Sequence, residues 1–242
     1  MPSVKLSIRV LCLAACLGGV PVWAECPSPG ADAVAHFETC RNLAETGDAV
    51  AQRQLGTLYQ RGAGVAPSDE MALTWYRKAA AQGDTGALYN LGVMYDSGYG
   101  VEQDPAAAAR WYRQAAAKGD AKAMYNLGLL YEYGLTGAQD YEEAMRLYQQ
   151  AAELGEPWAQ FALALLYDKG EGVERDPVRA YMWFDIVGER HEHAVHNRDS
   201  LGEELTAAQI EEALEMARQW RAQRPQLFGE QPAEAAASPV AP

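Results

Sequence analysis

The sequence predicts an all-α solenoid of 36-residue helix–turn–helix repeats with capping helices at its ends, and three observations lead to this fold class. Four segments align without gaps at a period of 36, beginning at Gly47, Gly83, Gly119 and Gly155. Apolar and small residues recur in each segment at the spacing of two amphipathic helices. Residues typical of helix ends stand at matching places in successive copies.

Each repeat is predicted to contain two helices, each with one apolar stripe. In the first copy, the first helix has its stripe at Ala51, Leu55, Leu58 and Tyr59. The second helix has its stripe at Ala72, Trp75, Tyr76, Ala79 and Ala80. These spacings keep the stripe on one face of a helix, so each helix needs a neighbour to cover it. The tryptophan column continues at Trp111, which is therefore predicted to be buried.

The helix ends are marked by residues with a known chemical preference. Aspartates that can accept from free backbone N–H groups precede six of the predicted helices, at positions 48, 84, 104, 120, 140 and 176. Asp140 with Glu143 is predicted to make a capping-box-like start in the third copy. Glycines at 62, 98, 134 and 170 are predicted to end the first helices. Gly56, Gly92 and Gly128 instead lie in mid-helix, at a propensity cost of about 1 kcal/mol each. Their presence there predicts close approach between two helices.

The ends of the stack are predicted to be capped. Residues 25–46 form an N-terminal arm and a capping helix, and residues 47–190 form the four repeats. Residues 191–224 form C-terminal capping helices, the last of which opens with the capping box Thr206–Gln209. The Pro/Ala/Glu-rich tail 225–242 is predicted to be disordered, because it has little apolar surface to bury.

Residues 1–24 have the pattern of a secretory signal peptide. Lys5 and Arg9 precede a short apolar run, and small residues end the segment at Ala24. The run is too short to span a bilayer, so no membrane insertion is expected after cleavage, and a periplasmic or secreted location follows. The alternative is a lipoprotein, because Leu13-Ala14-Ala15-Cys16 resembles a lipobox that would place a lipid anchor on Cys16.

The cysteines that remain after such cleavage are Cys26 and Cys40. In an oxidising compartment this pair predicts a disulfide, worth roughly 3 kcal/mol in the chain-entropy model. The alternative is a reactive Cys40 beside His36 on one helical face.

The full chain carries a formal charge of −13, which falls to −15 without the predicted leader. Such a chain repels phosphate backbones, so nucleic acid is excluded as a partner.

No motif for catalysis, cofactor binding or metal binding is found. The cluster His191-Glu192-His193-Ala194-Val195-His196 has valine where a zinc protease helix needs histidine, although His193 and His196 leave a shared metal open. The acidic column Gln60/Asp96/Glu132/Asp168 would place carboxylates about 10 Å apart, too far for one cation. The histidine cluster is interpreted as a solvated turn and the acidic column as a solvated edge. A non-enzymatic protein without cofactor or metal is predicted.

One column suggests a surface for a partner. Tyr89, Tyr125 and Phe161 recur at the period of the repeat, two positions from the buried stripe, and Arg53 leads them. An aromatic row of this kind would grip a peptide or a partner helix. The alternative is packing between successive first helices. Asn90 and Asn126, in the neighbouring column, would bond a bound backbone or brace the loops.

The motifs Ala-x-x-x-Leu-Gly-x-x-Tyr, Gly-x-Gly-Val, Asp-Pro and Trp-Tyr-x-x-Ala-Ala, at this spacing, closely resemble those of the Sel-one-like repeat family, relatives of the tetratricopeptide repeats. The resemblance implies a curved right-handed superhelix that acts as a scaffold for protein–protein interaction, in many bacterial members beyond the cytoplasmic membrane. Leu147 departs from the family's tryptophan. Cysteine-rich relatives imply one alternative, a hydrolase of cell wall or β-lactams, and an envelope signalling regulator is another.

Overall fold

A computed structural model describes residues 32–228 of the protein, and within them eleven α-helices and two short 3-10 turns follow one another without a β-strand. The helix α1 (Ala33–Glu45) comes first. Four pairs follow: α2 (Ala49–Arg61) with α3 (Asp69–Ala81), α4 (Thr85–Ser97) with α5 (Pro105–Ala116), α6 (Ala121–Glu132) with α7 (Tyr141–Glu153), and α8 (Pro157–Lys169) with α9 (Pro177–Val187). The helices α10 (Ala194–Gly202) and α11 (Ala207–Ala222) complete the stack.

Consecutive helices pack against each other from α1 to α10. The two helices of each pair are in contact, and each pair contacts the next one. The helix α1 packs on α2 at one end, and α10 and α11 both pack on α9 at the other. This arrangement confirms the predicted all-helical solenoid.

The helix caps form as the sequence predicts, with one difference. Asp48 accepts from the backbone N–H of Ala51 at 2.6 Å, and the other five aspartates cap their helices in the same way. Thr206 and Gln209 form the full capping box. Asp140 caps α7, but Glu143 does not complete a capping box, because its carboxylate pairs with Arg146 instead.

The mid-helix glycines lie where a buried ring of the paired helix approaches the backbone. A Cβ at Gly92 would lie 2.4 Å from ring carbons of Tyr112, and Gly56 and Gly128 stand in the same relation to the tyrosines of their own pairs. The predicted close approach is therefore confirmed. Overpacking outweighs the gain in helix propensity that alanine would bring at these places. The fourth pair has Ala164 here, and its second helix carries Phe184 in place of tyrosine.

The tryptophan column is buried in two pairs but not at Trp111. Trp75 and Trp183 lie in the core, whereas Trp111 is only half-buried at its margin. The prediction that Trp111 is buried was wrong. Trp75 packs in the cluster that includes Phe37 of α1, and Trp183 meets the Trp220 ring edge-on at 5.4 Å. Trp111 lies between these two ends of the stack, and the next pair carries Leu147 in place of tryptophan.

The chain beyond α11 folds back onto the stack before the described residues end. Residues Pro225–Leu227 form a 3-10 turn, and the Phe228 ring meets the Trp220 ring edge-on at 6.0 Å. The predicted disordered tail was therefore wrong for residues 225–228, because Leu227 and Phe228 supply the apolar surface that the rest of the tail lacks. Residues 229–242, and the predicted leader 1–24, lie outside the described residues.

Candidate functional site: the face of the first helices

Tyr89, Tyr125 and Phe161 lie on α4, α6 and α8 at equivalent places, and we call them the aromatic row. Each is half-buried and rests on an aromatic ring of the second helix of its own pair. The ring centroids are 6.0 Å apart for Tyr89–Tyr112, 5.7 Å for Tyr125–Tyr148 and 5.6 Å for Phe161–Phe184. The row is thus anchored within each pair, and each ring keeps part of its surface exposed.

Two pockets lie along the row. The first pocket, of about 510 Å³, is lined by Tyr89, Lys122, Tyr125, Asn126, Glu156, Pro157 and Trp158. The second pocket, of about 290 Å³, contains Tyr125, Trp158, Phe161 and His191 in its lining, with Glu132, Tyr133 and Lys169 among the others. Tyr125 and Trp158 line both pockets. The two pockets are therefore neighbours, separated by these rings.

Trp158 is the residue of this surface that the sequence analysis missed. It lies in the first turn of α8 and is 53% exposed, which is unusual for so large an apolar side chain. The equivalent places in the other copies hold Val50, Gly86 and Lys122, so a search for periodic columns does not find it. The sequence indicates Trp158 in another way, because it is a large aromatic residue that lies outside the buried stripe of its helix.

Arg53, predicted to lead the row, lies apart from the two pockets. Its Nε is 3.0 Å from a carboxylate oxygen of Asp84, the residue that caps α4. Its aliphatic part lies over Gly86, where a Cβ would come within 2.7 Å of Arg53 Cδ. Arg53 therefore joins the first pair to the second.

Asn126 lines the first pocket and also forms a hydrogen bond to the preceding pair of helices. Its Nδ2 donates to the Tyr112 hydroxyl at 3.2 Å, which joins α6 to the pair before it. Asn90 stands in the same column, beside Tyr76 of the preceding pair. Burial raises the pKa of Tyr76, and hydrogen bonding with Thr57 and Asn90 offsets part of the rise. The asparagine column thus braces buried tyrosines across the repeats, and the predicted bracing of loops was wrong.

Carboxylates of the acidic column accept hydrogen bonds from buried tyrosine hydroxyl groups. The Tyr148 hydroxyl donates to Glu132 Oε2 at 2.6 Å, and the Tyr112 hydroxyl donates to Asp96 Oδ2 at 3.4 Å. Burial raises the pKa of Asp96, and the bond from Tyr112 opposes the rise. Burial, with the adjacent Glu132 carboxylate, raises the pKa of Tyr148. The interpretation of this column as a solvated edge was wrong for Gln60, Asp96 and Glu132, which accept from core tyrosine hydroxyl groups. Asp168 instead pairs with Arg175, 3.2 Å away.

The row ends in a buried histidine. His191 is 5% exposed, and its ring stacks on Phe161 at 3.7 Å and meets Trp158 edge-on at 4.4 Å. Its Nδ1 accepts from the backbone N–H of His193 at 3.3 Å. Burial lowers the pKa of His191, so the ring is neutral at pH 7. The prediction of a solvated turn holds for the exposed His193, but His196 is exposed on α10 and His191 is buried.

The described part of the chain contains neither a cluster of metal-binding side chains nor a helix able to span a membrane. In residues 32–228 we find no group of three or more histidine, cysteine or carboxylate side chains placed to bind a metal ion. Over the same range, no helix combines the length and the apolar character needed to cross a membrane.

Comparison with known proteins places the chain in a family. The family model described as Sel1 repeat matches residues 49–84, 85–120, 121–156 and 159–186, more than half of the chain. A Sel1 repeat protein from Oxalobacter formigenes is 30% identical, with 78% of this chain and 80% of that one covered and a TM-score of 0.67.

A second solved structure shares the fold. It is c5321, a protective antigen present in uropathogenic Escherichia coli strains, described as displaying an SLR fold. It is 22% identical, with 86% of this chain and 69% of that one covered and a TM-score of 0.54. None of the curated proteins compared with the chain gives a significant match. Together with the four packed helix pairs, the family match shows that this chain belongs to the Sel1 repeat family, a type of protein-interaction scaffold.

Proposed function

We propose that this protein is an exported, non-catalytic scaffold that holds a segment of a partner protein along the aromatic row. The observation that carries the proposal is the pair of adjacent pockets that share Tyr125 and Trp158. Neighbouring helices of a stack lie about 10 Å apart. A peptide in the polyproline II conformation advances about 3.1 Å per residue with three residues per turn, so side chains three residues apart would point the same way and enter successive pockets.

The chemistry of the pocket linings favours binding over catalysis. Both pockets are lined mainly by aromatic and aliphatic side chains with a few charged groups, the composition expected of a recognition site. Their linings contain no serine, threonine or cysteine. A hydrolase of the cell wall or of β-lactams that used one of these nucleophiles would need it beside a base.

A photo-crosslinking experiment tests the binding surface. We would place p-benzoylphenylalanine at Ala162, which lines the second pocket, and in a control at Gln149, an exposed position on α7. Adducts from an envelope extract would be mapped by mass spectrometry. We expect one partner segment to crosslink at position 162 and not at 149. Equal adducts at both positions, or none at 162, would contradict the proposal.

The proposed export can be tested through the N-terminus and the cysteines of the mature protein. Cys40 lies fully buried in α1, and Cys26 lies outside the described residues. We propose that cleavage after Ala24 leaves a chain that begins at Glu25, in which a Cys26–Cys40 disulfide holds the arm on α1. The intact mass of the purified protein should match this chain and rise by two hydrogen atoms on reduction. A lipid adduct on Cys16, or an unchanged mass on reduction, would rule it out.

A further inference from the structure

A nearly buried carboxylate lies in the lining of the first pocket. Glu156 precedes α8 and is 9% exposed. Its Oε1 accepts from the backbone N–H of Trp158, but at 3.4 Å this bond is long. Within residues 32–228 Glu156 forms no salt bridge with a basic side chain. A carboxylate that is mostly removed from water gains most from a cationic partner.

Aromatic rings surround this carboxylate in the same pocket. Tyr89, Tyr125 and Trp158 contribute the rings, and the faces of such rings attract cations. Burial, with smaller contributions from the charges of Glu132, Tyr133 and Glu156, raises the pKa of Tyr125 to about 12. In this lining the Glu156 carboxylate is nearly buried and the Lys122 amine is exposed, so the inner part of the pocket favours a positively charged occupant.

Lys122 is the basic residue in the pocket lining, and it does not neutralise the carboxylate. Its side chain is exposed and lies beyond salt-bridge distance of Glu156. We therefore place Lys122 at the rim, where its charge is screened by solvent. Removing that charge should make the pocket more attractive to a cation.

We infer that the first pocket receives an arginine side chain of the partner segment, with its guanidinium against the aromatic rings and donating to Glu156. The inference rests on the proposed function and specifies its chemistry. Arginine fits better than lysine, because a planar guanidinium stacks on a ring while it donates two parallel hydrogen bonds to a carboxylate. The chain pairs its own residues in a related way, since Arg113 lies 5.7 Å from the Tyr131 ring centre and donates to its hydroxyl at 2.9 Å.

We assign the occupant to another protein. Residues 229–242 contain neither lysine nor arginine, and residues 1–31 contain only Lys5 and Arg9, both in the predicted leader. The negative charge of the chain, −13 in all, also suits a basic partner segment. An acidic chain of this kind is a poor source of the cation for a second copy of itself.

Short blocked peptides test the inference on the whole protein. The probe is acetyl-Ala-Arg-Ala-amide, and its neutral analogue has citrulline in place of arginine. Binding is followed through the indole N–H resonance of Trp158, identified with Trp158→Phe. We expect the citrulline peptide to bind at least about tenfold more weakly, because a charge-assisted hydrogen bond is lost. The peptide with lysine in the same place should also bind more weakly than the arginine peptide.

Matched variants locate the effect. Glu156→Gln should weaken the arginine peptide about tenfold. Glu212→Gln makes the same change of charge on the exposed face of α11 and should have no effect. Lys122→Gln should strengthen binding a few-fold. Circular dichroism checks that each variant is folded, and the citrulline comparison needs no variant at all.

The outcomes separate this inference from the proposed function. Equal binding of the arginine and citrulline peptides, or lysine binding as tightly as arginine, would overturn the inference. Unchanged affinity in a folded Glu156→Gln variant would overturn it as well. If the crosslink at position 162 persists in any of these cases, the proposed function stands and only its chemistry is wrong. If that crosslink is also absent, both are overturned.

Discussion

Tyr148→Ala should lower the free energy of unfolding by about 3–5 kcal/mol, as expected for removal of a large side chain from a packed core. The Tyr148 side chain is 0% exposed, and it fills the space left by Gly128 on the paired helix. Urea unfolding followed by circular dichroism measures the loss.

Two further variants divide this effect into its parts. Tyr148→Phe keeps the ring and removes the hydrogen bond to Glu132, so it should cost about 1–2 kcal/mol. Trp111→Ala removes a larger side chain, but one that is only half-buried, and it should cost clearly less than Tyr148→Ala. Equal losses for Tyr148→Ala and Trp111→Ala would show that the tyrosine column does not form the centre of the core.

The parts of the fold that depend on local sequence were predictable. An aspartate before a helix caps it wherever the helix begins, and a stripe at helical spacing is buried by any neighbour. The exposure of Trp111 was not predictable in this way, because it depends on which side chains of other helices cover the indole. The partner of Glu132 was not predictable for a similar reason. Its column is visible in the sequence as a repeating polar position, but the Tyr148 hydroxyl that donates to it lies on another helix.

The candidate site was predictable where it follows the period and not where it departs from it. The aromatic row appears in the sequence as a column of equivalent residues. Trp158 and Glu156 do not repeat, and the sequence gives no sign that they line a pocket with Tyr125. Arg53 belongs to the column, but its side chain pairs with the carboxylate of Asp84 and so links the first pair of helices to the second instead of lining a pocket.

Trp158→Ala should weaken binding of the crosslinked partner segment by about 2 kcal/mol or more, roughly 30-fold, as for a hot-spot aromatic residue. The side chain is 53% exposed in the free protein and lines both pockets, so a partner that occupies them would bury it. Its removal should cost only about 1 kcal/mol of stability, because it leaves little buried surface uncovered. Titration of the labelled segment and thermal melts measure the two quantities separately.

Tyr99→Ala is the matched control, since Tyr99 is 48% exposed and lies in the turn after α4, outside the linings of the two pockets. It should change neither affinity nor melting temperature by much. Tyr125→Ala should lower both, because this ring lines the pockets and also rests on Tyr148. A large fall in melting temperature for Trp158→Ala, with unchanged affinity, would make its indole part of the packing around His191, and the surface formed by the two pockets would lose its most exposed contact for a partner.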